Sequence, residues 1–288
     1  MNIVSNMAVL SSHREVLGLP VCDLDRNDAF SFVSALADMP LGQTIISFLN
    51  AHNANIMLTD AGYRQALERH LVLPDGIGID VASFLAHGRA FPANLNGTDF
   101  VPGLLTYMEK PRRIGLVGAR PETLRKARDN FAAHAPWHEF IAISDGYLDE
   151  EQSKEVVERI ASLKLDILLV AMGTPRQEKW VDRFIRPEHA RLVITVGALF
   201  DFTACEVPRA PEIMRSMRLE WAYRLWQEPG RLWKRYLVGG PAFAFRTLAH
   251  SVSARLGQAT ETFGHRERDM PARRVNALRL MNSRARTR

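Results

Sequence analysis

The run from Arg113 to Phe200 reads RIGLVGARPETLRKARDNFAAHAPWHEFIAISDGYLDEEQSKEVVERIASLKLDILLVAMGTPRQEKWVDRFIRPEHARLVITVGALF. Short apolar blocks alternate in it with amphipathic stretches. The pattern predicts strands at Ile114–Val117, Phe140–Ile143, Ile167–Ala171 and Val193–Val196, and helices at Pro121–Ala133, Glu150–Leu163 and Pro175–Phe184. Alternation at this interval means right-handed βαβ units and a parallel sheet covered on both faces, hence a Rossmann-like α/β fold. Ligands of such sheets sit beyond the carboxyl ends of the strands. Three loops emerge there: Gly118–Pro121, Ser144–Tyr147 and Met172–Pro175.

Upstream, Thr44–Leu49 (TIISFL) reads as a buried strand, and Asn53–Arg69 as helical from the spacing of Ile56, Leu58, Tyr63, Ala66 and Leu67. Leu71–Leu73, the turn Pro74-Asp75-Gly76 and a helix from Ile79 to His87 follow, which puts Asp75 at a strand end beside a helix start. Downstream of Arg209-Ala210-Pro211 the texture changes. Glu212–Tyr236 interleaves Trp221, Tyr223, Trp226, Trp233 and Tyr236 with Arg215, Arg218, Arg224, Arg231, Lys234 and Arg235. Gly239-Gly240-Pro241 reads as a helix break, with a second short helix over Ala242–His250. This divides the 288 residues into an α/β core at 1–208, a basic aromatic appendage at 209–250 and an Arg-rich, disordered tail at 251–288.

Charge follows the same division. Residues 1–208 carry a net −6 and residues 209–288 a net +11, so the basic end is built to meet something anionic. The longest apolar runs, Leu165–Ala171 and Leu192–Phe200, fall short of the ~18 residues that span a bilayer. The first residues lack a basic block followed by an apolar one and a small-residue cleavage site, which argues against secretion. Two cysteines, Cys22 and Cys205, exclude a disulfide scaffold and fit a reducing compartment.

Three stretches carry chemistry. In GLVGARPE (115–122), glycines at a strand-to-helix turn let backbone amides approach a phosphate, although a tight turn would use the same residues. In MGTPRQEKW (172–180), Gly173 permits close approach, Thr174 can cap the helix, Pro175 suits its first position, and Arg176, Gln177 and Lys179 add donors. An anion cradle and an ordinary capped helix weigh equally. In LPDGIGID (73–80), Asp75 is a carboxylate on a constrained turn, placed to take a proton from a hydroxyl, or simply to bond backbone amides. Asn50, ending the preceding strand, comes near Asp75 if the two strands pair in parallel, and His52 with it. No His, Cys or Asp pattern suggests a metal. Gly-x-Ser-x-Gly is absent, and so is the full dinucleotide fingerprint, which disfavours covalent hydrolases and nicotinamide-dependent enzymes.

Taken in order, Asn50, LPDGIG (73–78), NGTDF (96–100), GLVGARP (115–121), SDGY (144–147), MGTPRQEKW (172–180), VGALFDFTA (196–204), RAP (209–211) and EW…YRL…EP..R (220–231) resemble the WecG/TagA/CpsF family of bacterial glycosyltransferases over about residues 15–240. The resemblance implies an inverting transfer of a sugar from a UDP-sugar to a polyprenyl-diphosphate-linked sugar, at the cytoplasmic face of the inner membrane. It implies Asp75 as general base. Asn50, His52, Asn96, Asp99, Gly118, Met172, Gly173, Thr174, Arg176, Gln177 and Arg209 would be substrate-binding, with the 172–179 loop on the nucleotide side. Arg224, Arg231 and Lys234 would hold diphosphate in place of a metal, and no cofactor is implied. Phe48 and Asn94 stand where the family often has threonine and arginine. With the wording of FLNAHN and NGTDF, this points to the xanthan-type exopolysaccharide (GumM) branch and to glucose as donor sugar, with an N-acetylmannosamine-type donor as the alternative. The basic aromatic stretch implies a peripheral membrane enzyme on an anionic surface, open to oligomer formation. The reading in a different class is a nucleotide-binding module whose basic tail binds nucleic acid. The family resemblance implies no nucleic-acid partner.

Overall fold

The computed structural model describes residues 12–39, 42–216 and 219–268. A hairpin opens it, β1 (His13–Val16) and β2 (Leu19–Cys22), followed by α1 (Arg26–Asp38). The hairpin was not read from the sequence, because two four-residue strands leave too short a pattern. Arg14 fixes it: its guanidinium pairs with Asp23 at 2.6 Å and bonds the carbonyls of Arg89 and Ala90.

Six parallel strands form the main sheet: β3 (Thr44–Leu49), β4 (Leu71–Pro74), β5 (Arg113–Gly118), β6 (Glu139–Ser144), β7 (Leu165–Ala171) and β8 (Ala190–Thr195), in spatial order β4-β3-β8-β7-β5-β6. The α/β class and the strands expected from Arg113 onward are as the alternation dictates. Between the strands lie α2 (Ala51–Met57), α3 (Ala61–Glu68), α4 (Ile77–His87), α5 (Gly97–Tyr107), α6 (Pro121–His134), α7 (Glu150–Leu163) and α8 (Arg176–Phe184). The single helix expected over Asn53–Arg69 is two. The chain turns at Thr59, and Asp60 restarts it by accepting the Tyr63 amide at 3.0 Å, a local cap that apolar spacing does not register.

Strand parity sorts the core. Ile46, Phe48, Leu116, Leu169 and Ile194 face one layer, covered by α1, α5 and α6. Leu49, Val72, Leu168, Val170 and Val193 face the other, covered by α2, α3, α4, α7 and α8. The chain leaves β5 outward to β6 and leaves β7 inward to β8, so adjacent strands diverge and open a crevice at their carboxyl ends.

After α9 (Leu199–Thr203) come α10 (Glu212–Ser216), α11 (Glu220–Gln227) and α12 (Pro229–Trp233), a π-helical turn at Lys234–Val238, and α13 (Gly239–Arg268). Gly239-Gly240-Pro241 therefore does not break the helix. Pro241 falls in the first turn of α13, where a missing N–H costs little, and the wider π turn before it absorbs the misfit. The helix runs across residue 250, where the tail was expected to begin. Residues 269–288 lie outside those described. Phe243 anchors α13 in the α2–α4 layer, and Asn55 of α2 binds it twice, donating to the Gly239 carbonyl at 2.8 Å and accepting from Arg246 at 2.6 Å. Cys22 and Cys205 are both free. Among the described residues no helix is long and apolar enough to cross a membrane.

Candidate active site

Parallel pairing of β3 with β4 aligns Leu49 with Pro74, so the next residues, Asn50 and Asp75, emerge side by side. The Asp75 amide bonds the Leu49 carbonyl at 2.9 Å. Asn50 then does two things at once. Its Oδ1 accepts the Asn53 amide at 3.0 Å and caps α2, and its Nδ2 donates to Asp75 Oδ2 at 3.1 Å. Gly76 follows with φ +88°, a conformation that favours glycine, and its amide is held by Asn94 Oδ1 at 2.9 Å. The turn carrying Asp75 is thus clamped on both sides.

Asp75 lies in a cavity of 330 Å³ walled on one side by the β3 and β4 ends and on the other by the appendage. Asn50, His52, Asn94, Asn96, Thr98 and Asp99 come from the body. Glu220, Trp221, Arg224, Arg235 and Tyr236 come from the appendage. Burial raises the proton affinity of Asp75; the Asn50 hydrogen bond, Arg235 and Arg224 work against this, while Asp99 adds to it. The outcome is a carboxylate whose pKa lies above its ordinary value, the direction a general base requires. Burial also raises Glu220, with Arg209 opposing. His52 is pushed down to about 4 by burial and then by Arg235, so it is neutral at physiological pH.

The cations are held by aromatic rings. Arg224 lies over Phe202 at 5.2 Å and Arg235 over Tyr236 at 5.5 Å, and Tyr236 in turn meets Trp221 at 5.7 Å. The buried Nε of Arg224 makes no hydrogen bond among the described residues. Two guanidinium groups facing a recessed carboxylate suit an anionic, hydroxyl-bearing ligand.

Of the residues expected from the sequence, Asn50, His52, Asp75, Asn96, Asp99 and Arg224 share this cavity. Asn96 and Asp99 bind each other reciprocally at 3.0 Å as the cap of α5, and Arg209 is spent on Asp99 at 2.9 Å. Lys234 does not line the cavity. It extends over Trp233 at 5.7 Å, and Arg235 takes the inward place because the π turn alters the helical phase. The side chain of Arg231 is outside the described residues. Sequence reasoning took Asn94 only as a departure from the family pattern, and did not name Glu220, Trp221, Arg235 or Tyr236 as site residues. For these four the signal was the EW pair and the aromatic-basic interleaving, which placed them on the appendage without an orientation.

Gly118, Met172, Gly173, Thr174, Arg176 and Gln177 lie apart from this cavity, at the β5 and β7 ends. Loops there are knit together: the Ala119 amide bonds the Ala171 carbonyl at 2.9 Å, and the Gly146 amide the Ala119 carbonyl at 3.0 Å. Thr174 does not cap α8 as expected. Pro175 occupies the cap position, and Thr174 donates instead to buried Glu178 at 3.0 Å. Gln177 donates to Glu178 at 2.8 Å and accepts the Gly197 amide at 3.1 Å, Lys179 pairs with Asp60, and Arg176 bonds the Leu148 carbonyl. The side chains read as an anion cradle are turned to protein partners. What this loop offers a ligand is backbone at Gly173, which has open space around it.

Residues 14–257 match the model of the glycosyl transferase WecG/TagA/CpsF family. The chain belongs to this family. It is a glycosyltransferase. It is 30% identical over 238 residues, 80% of this chain and 91% of the relative, to the N-acetylglucosaminyldiphosphoundecaprenol N-acetyl-beta-D-mannosaminyltransferase of Bacillus spizizenii (strain ATCC 23059 / NRRL B-14472 / W23). It is 32% identical over 213 residues, 73% of this chain and 81% of the relative, to the protein of the same name from Bacillus subtilis (strain 168).

Proposed function

We propose that the chain is an inverting, UDP-sugar-dependent transferase that acts on a sugar linked to a polyprenyl diphosphate. The observation that carries this reading is the recessed carboxylate of Asp75, oriented by Asn50 and faced by Arg224 and Arg235 in one cavity. Asp75 takes the proton of the acceptor hydroxyl as its oxygen bonds to the anomeric carbon. The bond from that carbon to the UDP oxygen breaks, the electron pair leaves with UDP, and the configuration inverts. Guanidinium groups stabilise the charge on diphosphate, the part a metal plays in other transferases. The crevice where β5 and β7 diverge supports the nucleotide, with backbone at Gly173, which has open space around it, supplying close approach.

The names of the relatives support an N-acetylmannosamine-type donor and an N-acetylglucosaminyl-diphosphoundecaprenol acceptor, the second of the two donors weighed from the sequence. Phe48, one of the two departures that favoured glucose, is a core residue packed on Phe100 and on Gly97, and it does not line the cavity. Only Asn94 lines the cavity, which leaves glucose as the competing reading. The lipid part of such an acceptor supports a peripheral site at the cytoplasmic membrane face.

The test is UDP release from a panel of UDP-sugars with prenyl-diphosphate-linked N-acetylglucosamine and glucose, with and without EDTA, for wild type and Asp75→Asn. Acceptor-dependent release from UDP-N-acetylmannosamine, unchanged by EDTA and lost in Asp75→Asn while UDP binding persists, is the expected result. Release from UDP-glucose alone moves the donor assignment to the exopolysaccharide reading. Full turnover by Asp75→Asn removes the base assignment.

A further inference from the structure

The basic aromatic stretch that suggested a membrane from sequence ends at Tyr236. The exposed apolar surface continues beyond it. On α4, Ile77, Val81 and Phe84 recur at helical spacing and are exposed, Phe84 at 60%. On α13, Phe245, Leu248 and Val252 do the same, Phe245 at 73%, opposite the buried Phe243, Thr247 and Ser251. These two helices pack on each other. Leu237, Val238 and Trp233, in and beside the π turn, are exposed as well. Ile77 from α4 and Tyr236 and Gly240 from the appendage also line the cavity, so the apolar surface borders its mouth.

Charge decides what such a surface meets. The only acid in α4 is Asp80, which is buried, and no Asp or Glu occurs from Pro229 to Thr260. Lys234 and Arg246 are exposed within the same stretch. A second copy laid against this face would set cations against cations, whereas an anionic bilayer supplies the opposite charge and the apolar depth together.

We propose that α4 of the α/β body and the Trp233–Val252 segment form one membrane-seating face, inserted at the headgroup boundary of an anionic bilayer. The cavity mouth then opens at the bilayer surface. The acceptor's sugar reaches Asp75 through that mouth while the prenyl chain stays among the lipids. The inference rests on the lipid-linked acceptor proposed above, and it adds a part of the body to what would otherwise be a property of the appendage.

The experiment is flotation of the full chain with phosphatidylglycerol-containing vesicles and with phosphatidylcholine vesicles, for wild type, Phe84→Asp, Leu248→Asp and Tyr147→Asp. Tyr147, exposed after β6, is the control. Wild type and Tyr147→Asp should float with anionic vesicles, and Phe84→Asp and Leu248→Asp should each bind about tenfold more weakly. UDP release on a short-chain, water-soluble acceptor should be unchanged in both. Wild-type flotation by Phe84→Asp overturns the inclusion of the body. Unchanged flotation combined with a shift from oligomer to monomer in sedimentation makes the face an interface between copies and overturns the proposal. Loss of soluble-acceptor turnover in both variants makes the residues structural, which also overturns it. Should wild type float yet release no UDP from any donor, the transferase reading fails while the seating face stands.

Discussion

Asn50 holds a helix end and the carboxylate proposed as general base with one side chain, and substitutions can separate the two tasks. Asn50→Ser keeps a cap oxygen for the Asn53 amide but is too short to donate to Asp75. Asn50→Ala loses both. Removing a cap costs about 1 kcal/mol, which in a chain of this size lowers the melting temperature by about 2–4 °C. A hydrogen bond to a charged group is worth about 1.5–3 kcal/mol, so losing it should cut turnover by about ten- to a hundredfold. Because this bond lowers the proton affinity of Asp75, its loss also moves the acid limb of the pH–rate profile to higher pH. The expected pattern is thus Asn50→Ser melting like wild type and turning over slowly, and Asn50→Ala deficient in both. Differential scanning fluorimetry and UDP release against pH read the two outcomes. Asn50→Ser with wild-type turnover would refute the link to Asp75, and Asn50→Ser melting like Asn50→Ala would refute the capping argument.

Three further outcomes follow from the geometry. Arg235→Leu removes a cation facing Asp75, so the acid limb should again move up, and KM for the UDP-sugar should rise about tenfold; an unchanged KM places the UDP diphosphate elsewhere. A Cβ at Gly118, where φ is +132°, would sit 2.3 Å from the Ala171 carbonyl oxygen, so Gly118→Ala should lose about 3 kcal/mol or more in chemical denaturation, and a smaller loss means the β5 and β7 ends can separate. Burial raises the proton affinity of Glu178, so its contribution to stability is complete below its unfolded pKa and is lost as pH rises through the folded one. Glu178→Gln should therefore raise the melting temperature more at pH 8 than at pH 5, and an equal effect at both would mean the acid does not titrate on unfolding.

Legibility tracked the physics of each element. Strands β5, β7 and β8 are buried on both faces and, like the edge strand β6, read as short continuous apolar runs between turn residues, so the sheet was recoverable to within a few residues at each end. Asn50 and Asp75 were legible as neighbours because parallel register carries one strand end to the next. What escaped depended on contacts between distant segments or on local phase. Arg14 ties the hairpin to residues near 89, far along the chain. The π turn at Lys234–Val238 exchanged Lys234 for Arg235 at the cavity. Thr174 had two acceptable partners, a helix amide and a buried acid, and composition could not choose between them.

The cavity is shared between two lengths of chain with opposite chemistry, and this gives the protein a history during its synthesis. The length made first contains Asp75 and Asn50 and none of the cavity's guanidinium groups; the length made later contains Arg224 and Arg235. A nascent chain that has formed β3 and β4 therefore has the proposed base with neither of the guanidinium groups proposed to hold the diphosphate. The site is complete only when the helices after Arg209 have emerged and folded back, with Asn55 receiving α13 on the same short helix whose first turn Asn50 caps. The proposed chemistry on the lipid-linked sugar must wait until those helices are in place.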